Sequence, residues 1–66
     1  MKIEVDGFPR EVPDGATVGE LLRELDEPTS HVIVEINGSF LPAERYEQTS
    51  LEEGDRVEVI YPAFGG

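Results

Sequence analysis

Polar and apolar residues alternate through Lys2-Ile3-Glu4-Val5, the period of a half-buried strand. Asp6-Gly7 follows as a tight-turn signal, and Phe8 to Val12 returns as a second strand. Pro9 has no amide to give to a ladder, so this second strand is expected to be short and at an edge. Pro13-Asp14-Gly15 closes the unit with turn chemistry. Thr17-Val18-Gly19-Glu20 has the spacing of a capping box, with Thr17 accepting from the amide of Glu20 and Glu20 reaching back to the amide of Thr17. Val18, Leu21, Leu22 and Leu25 then form an i, i+3, i+4, i+7 stripe, and the charged side of Glu20 to Glu24 faces water. Pro28 is expected to end this helix. Gly19 costs about 1 kcal/mol in a helix relative to Ala, and close packing against the sheet would account for it.

Val32-Ile33-Val34-Glu35-Ile36 is β-branched except at Glu35 and predicts a third strand. Asn37-Gly38 predicts a type I′ hairpin into a short strand from Phe40, curtailed by Pro42. Glu44 to Thr49 reads as polar and turn-like. Leu51 to Asp55 turns into a last strand, Arg56 to Ile60, with Val57 and Val59 inward and Arg56, Glu58 and Ile60 outward. The order is β-β-α-β-β-β, with a right-handed crossover through the helix. One helix against one face of a mixed sheet of four to five strands is a two-layer α+β arrangement, and a β-grasp is the simplest fold that satisfies it. The expected core is Ile3, Val5, Leu21, Leu25, Val32, Val34, Ile36, Val57 and Val59. Residues 1–60 would form the domain and residues 61–66 a flexible Gly-Gly tail.

Size and charge narrow the function. Sixty-six residues make one domain. A chain of that length hides only about 60% of its unfolded surface, too little for a core and a deep catalytic pocket together. The expectation is a carrier, a binding module or a subunit, not a stand-alone enzyme. Fifteen acidic residues against five basic ones give a net charge of −10. That charge repels nucleic acid and anionic lipid, and neither is expected as a partner. No cysteine is present to form a disulfide, bind a metal or act as a nucleophile. Met1-Lys2-Ile3-Glu4 lacks the apolar run of a signal peptide, and no stretch approaches the roughly 18 apolar residues of a membrane span, so a cytoplasmic protein is expected.

Side-chain catalysis finds little support. His31 has neither a second His nor any metal-ligand spacing, and it reads as a surface or capping residue. Ser30, Ser39 and Ser50 lie in turn-like contexts, and no glycine loop is suited to cradle a phosphate. No bound cofactor and no metal are expected. The distinctive segment is Tyr61-Pro62-Ala63-Phe64-Gly65-Gly66. Pro62 takes the chain out of the sheet, and six residues reach at most about 20 Å when extended. Gly65 and Gly66 make the narrowest backbone available, able to thread a tight channel and present a carboxylate to a nucleotide phosphate. A carboxylate is a poor acyl donor. Adenylated by ATP, it becomes a mixed anhydride that sulfur or an amine can attack.

The chain resembles the ThiS/MoaD family of ubiquitin-like sulfur carriers over nearly its whole length. The resemblance is carried by Ala16-Thr17-Val18-Gly19-Glu20-Leu21-Leu22, by Val34-Glu35-Ile36-Asn37-Gly38 with Leu41-Pro42, by Leu51-Glu52-Glu53-Gly54-Asp55-Arg56-Val57, and by Gly65-Gly66. The length and the Ile36-to-Pro42 stretch are more similar to the thiamin carrier, and the Tyr61-to-Gly66 end to the small subunit of molybdopterin synthase. Both pathways, and tRNA thiolation, stay open. The resemblance implies that an adenylating enzyme related to ubiquitin-activating enzymes consumes ATP to activate the Gly66 carboxylate, which becomes a thiocarboxylate and donates sulfur to a biosynthetic enzyme. Gly65 would give slim access, and Ile60, Tyr61 and Phe64 apolar docking contacts. Two other readings share these features: a protein modifier that joins Gly66 to target-protein lysines, and a β-grasp interaction domain with no covalent chemistry.

Overall fold

The computed structural model describes residues 1–28 and 31–62. Strands β1 (Lys2–Val5) and β2 (Phe8–Glu11) form a hairpin, helix α1 (Val18–Glu24) follows, and β3 (Ile33–Ile36) and β4 (Ser39–Leu41) form a second hairpin. A 3-10 helix, Ala43–Gln48, leads to β5 (Arg56–Ile60). The sheet runs β2-β1-β5-β3-β4, with β5 parallel to β1 and antiparallel to β3. This is the five-stranded mixed sheet of a β-grasp, and β2, with Pro9 opposite Glu4, is at its edge as expected.

Both hairpin turns have the backbone their sequences call for. Asp6 and Gly7 have φ of 51° and 86°, and Asn37 and Gly38 have 51° and 84°. Positive φ at both central positions is the type I′ geometry, whose twist matches that of the flanking strands. The capping box also forms: the Glu20 amide donates to Thr17 Oγ1 at 3.1 Å, and the Thr17 amide donates to Glu20 Oε1 at 2.9 Å.

Helix α1 stops a turn earlier than Pro28 implied. Leu25 is its C-cap, and Asp26 takes the left-handed conformation at φ 60°. The Asp26 amide donates to the Arg23 carbonyl at 3.1 Å and the Glu27 amide to the Leu22 carbonyl at 2.9 Å. These two bonds make a Schellman motif, and it satisfies the last carbonyls before the proline can act.

The buried core is Ile3, Val12, Ala16, Val18, Leu21, Leu22, Val32, Val34, Tyr46, Leu51, Val57 and Val59. Val5, Leu25 and Ile36, expected inside it, are only half-buried at its margin. The segment Glu44 to Thr49 departs most from expectation. It is helical, not a simple turn, and Tyr46 is 4% exposed. The flanking chain is stitched to the start of α1, where the Val18 amide donates to the Thr49 carbonyl at 2.9 Å and the Leu51 amide to the Ala16 carbonyl at 2.8 Å.

That placement accounts for Gly19, which packs under Glu47 of the 3-10 helix and not against the sheet. A Cβ on Gly19 would collide with the Glu47 carboxylate. The same carboxylate accepts from Arg23 Nη1, an exposed ion pair. The hydrogen bond from Arg23 holds the Glu47 carboxyl below the usual carboxylate range.

Burial raises the Tyr46 phenol above its ordinary value. Its neutral form is therefore favoured in the folded state. Above about pH 10 the unfolded chain releases the proton before the folded one does, so stability falls as pH rises. We expect the melting temperature to drop between pH 9 and pH 11, and Tyr46→Phe to flatten that slope in a thermal-shift series. Equal slopes for the two proteins would contradict it.

Candidate functional site

The segment singled out by sequence begins where β5 ends. β5 is the middle strand, held by β1 on one side and β3 on the other, so the root of the tail is anchored to the most supported element of the fold. Ile60 is the last paired residue, opposite Ile33 of β3, and is 37% exposed. Tyr61 is 59% exposed, and its hydroxyl donates to Glu27 Oε2 just beyond the C-terminal end of α1. Strand pairing stops before Pro62, as expected of a residue with no amide hydrogen. Of the expected site residues, Ile60 and Tyr61 are therefore placed together at one end of β5. Phe64, Gly65 and Gly66 lie outside the described residues, as does most of the expected flexible tail.

Alternation in β5 turns Val57 and Val59 into the core and Arg56, Glu58 and Ile60 onto the open face of the sheet. Strand register adds neighbours that the sequence did not reveal. Ile33 and Glu35 of β3 stand opposite Ile60 and Glu58, and Phe40 of β4 stands opposite Glu35. Phe40 is 64% exposed. The only advance signal was the alternation within each strand; which residues meet across strands depends on register. Glu27 likewise became visible as the partner of Tyr61 only in three dimensions.

The loop from β1 into β2 braces the same strand from the other side. The Asp6 amide donates to the Val57 carbonyl at 2.9 Å, and Asp6 Oδ1 accepts from the Val59 amide at 3.0 Å. At the far end, the Arg56 amide donates to Asn37 Oδ1 at 2.9 Å, and Asn37 Nδ2 donates to Asp55 Oδ1 at 3.0 Å. β5 is thus fixed along its length by side chains of both hairpin turns as well as by its ladders. No cluster of three or more His, Asp or Glu side chains placed to hold a metal ion occurs among the described residues. No helix among them is long and apolar enough to cross a membrane.

Comparison with known proteins gives consistent matches. The model of the ThiS family matches residues 3–66. The sulfur carrier protein ThiS of Escherichia coli K12 is 33% identical over 52 residues, 79% of each chain. A thiazole synthase of Paramagnetospirillum magneticum is 33% identical across the whole chain, which spans only 20% of that protein's length. The crystal structure of the thiamine biosynthesis protein ThiS from Geobacter metallireducens superposes with a TM-score of 0.88 at 36% identity, covering all of both chains.

Proposed function

The chain belongs to the ThiS family, and from that membership we propose that it is a sulfur carrier of thiamine biosynthesis that works through the carboxylate of Gly66. The carboxylate attacks the α-phosphorus of ATP on a partner adenylating enzyme, and pyrophosphate leaves. A hydrosulfide-level sulfur nucleophile then attacks the acyl carbon, and AMP leaves with its bonding electron pair. The product is a thiocarboxylate, more nucleophilic than the carboxylate it replaces. It passes its sulfur to a biosynthetic enzyme in the cytoplasm, where ATP is supplied. The chain is thus a cosubstrate that its partners turn over, not a catalyst.

The observation that carries this reading is that the family match runs through residue 66 and so includes Gly65-Gly66. The geometry fits it. A carrier needs a rigid body that enzymes can grip, and β5, the middle strand of the sheet, ends at Ile60, six residues before Gly66. Likeness to a thiazole synthase supports a thiazole-forming enzyme as sulfur acceptor, because a thiazole ring contains one sulfur atom.

Intact-mass measurement tests the reading directly. Incubated with its adenylating enzyme, ATP and sulfide, the chain should gain the mass of one sulfur-for-oxygen exchange, on the C-terminal fragment. Attachment to lysines of other proteins without that gain would instead identify a protein modifier.

A further inference from the structure

Tyr61 continues the inward register of β5. Val57 and Val59 turn into the helix layer, and alternation carries Tyr61 to that side while Ile60 goes to the open face. On the helix side the Tyr61 hydroxyl donates to Glu27 Oε2. A phenol donating to a carboxylate makes a charge-assisted bond, roughly twice as strong as a neutral one.

Glu27 is itself firmly placed. Its amide donates to the Leu22 carbonyl at 2.9 Å, closing the Schellman motif that Asp26 opens at φ 60°. Leu25, two positions earlier, packs against the core. Pro28 follows directly and restricts Glu27 to extended backbone. The Glu27 side chain is half-buried, and no ion pair among the described residues involves it. Its carboxylate stands past the negative end of α1, where a cation would be favoured. Neither core packing nor helix capping therefore accounts for a carboxylate here. Its described side-chain bond is the one to Tyr61, and that bond ties the end of the helix layer to the end of the middle strand.

The strand end is constrained in two further ways. Tyr61 precedes a proline, which holds it to extended backbone, and the Pro62 ring fixes its own φ near −65°. With its ring tethered as well, Tyr61 is held in both backbone and side chain. Gly66 is four positions past Pro62, a reach of at most about 14 Å. The direction set at Tyr61 and Pro62 thus decides where the carboxylate can be delivered.

We propose that Glu27 is a positioning residue for the Gly66 carboxylate. It tethers Tyr61, sets the direction in which the chain leaves the sheet, and spares a partner enzyme the cost of ordering that side chain on binding. It touches neither ATP nor the acyl carbon and acts through Tyr61. The inference rests on the carrier reading.

Pyrophosphate exchange by the full chain on its purified adenylating enzyme provides the test. Glu27→Ala should raise KM for the carrier about threefold or more while kcat and the melting temperature hold. Glu27→Gln keeps an oxygen that accepts from the phenol and should return KM close to the wild-type value. Tyr61→Phe should raise KM as Glu27→Ala does, and the two changes together should raise it no further, since both remove one bond. An unchanged KM in Glu27→Ala would overturn the proposal. A lowered KM would overturn it too, by making the bond a latch that must open. A Glu27→Gln variant as weak as Glu27→Ala would mean that the carboxylate meets a cation of the partner, and additive effects of the two changes would mean that each side chain touches the partner separately; either result overturns the tether. A wild-type chain that is never adenylated removes the carrier reading and this inference together, whereas normal adenylation with an unchanged KM in Glu27→Ala removes only the inference.

Discussion

Deleting Gly65 and Gly66 is expected to leave the melting temperature essentially where it is and to abolish ATP-dependent activation. Neither residue has a side chain to bury, and both follow the last strand, so the deletion removes no side chain from the core of Ile3, Leu21, Val34 and Val57. Activation, by contrast, needs the carboxylate at the phosphorus. One residue of chain reaches about 3.3–3.6 Å, so even a single residue added after Gly66 should displace the carboxylate beyond attacking distance. Gly65→Val should fail for a different reason, its branched side chain obstructing a channel shaped for bare backbone. Pyrophosphate exchange with ATP on the adenylating enzyme separates these effects from unfolding. Exchange at the wild-type rate by the deletion variant would end the carrier reading.

The second large effect is on stability. Leu21 is 1% exposed and is packed with α1 neighbours Val18 and Leu22 against the sheet core. Leu21→Ala removes buried methyl groups and leaves a cavity, at a cost of about 2–5 kcal/mol. A domain this small rarely holds more than about 3–5 kcal/mol in its core, so the variant should be largely unfolded at room temperature. Circular dichroism in a urea series measures it. A midpoint shifted only slightly would mean the helix contributes less to the core than its burial implies.

Features set by neighbouring residues were legible in the sequence. The capping box at Thr17 and Glu20, the Asp6-Gly7 and Asn37-Gly38 turns and the alternation in β5 all depend on chemistry within a few positions. Features set by contact at a distance were not. The 3-10 helix holding Tyr46 looked polar because four of its six residues are charged or amide-bearing, and only its stitching to Ala16 and Val18 turns the one aromatic inward. Gly19 looked like a sheet contact because nothing local points to Glu47. The end of α1 was misplaced for a related reason. A proline is a conspicuous stop, whereas Asp26 can adopt the left-handed conformation unannounced. At the candidate site, Ile60 and Tyr61 could be named from their order in the chain. Their neighbours Ile33, Glu35, Phe40 and Glu27 could not, because register and loop path place them there.

The strand that comes last along the chain lies in the middle of the sheet, which bears on how the protein is made. Until β5 is available, the β1–β2 and β3–β4 hairpins share no ladder, and an isolated hairpin is at best marginal in water. Glu4 meets its partner only at Arg56, a closure across most of the chain, and such distant pairings are slow to form. A ribosome adding roughly 5–20 residues per second therefore exposes two unjoined halves until the final strand emerges. That strand both welds the halves together and supplies Glu58 and Ile60 to the open face. A chain cut short before β5 is expected to lack both the joined sheet and the strand from which the C-terminal segment continues.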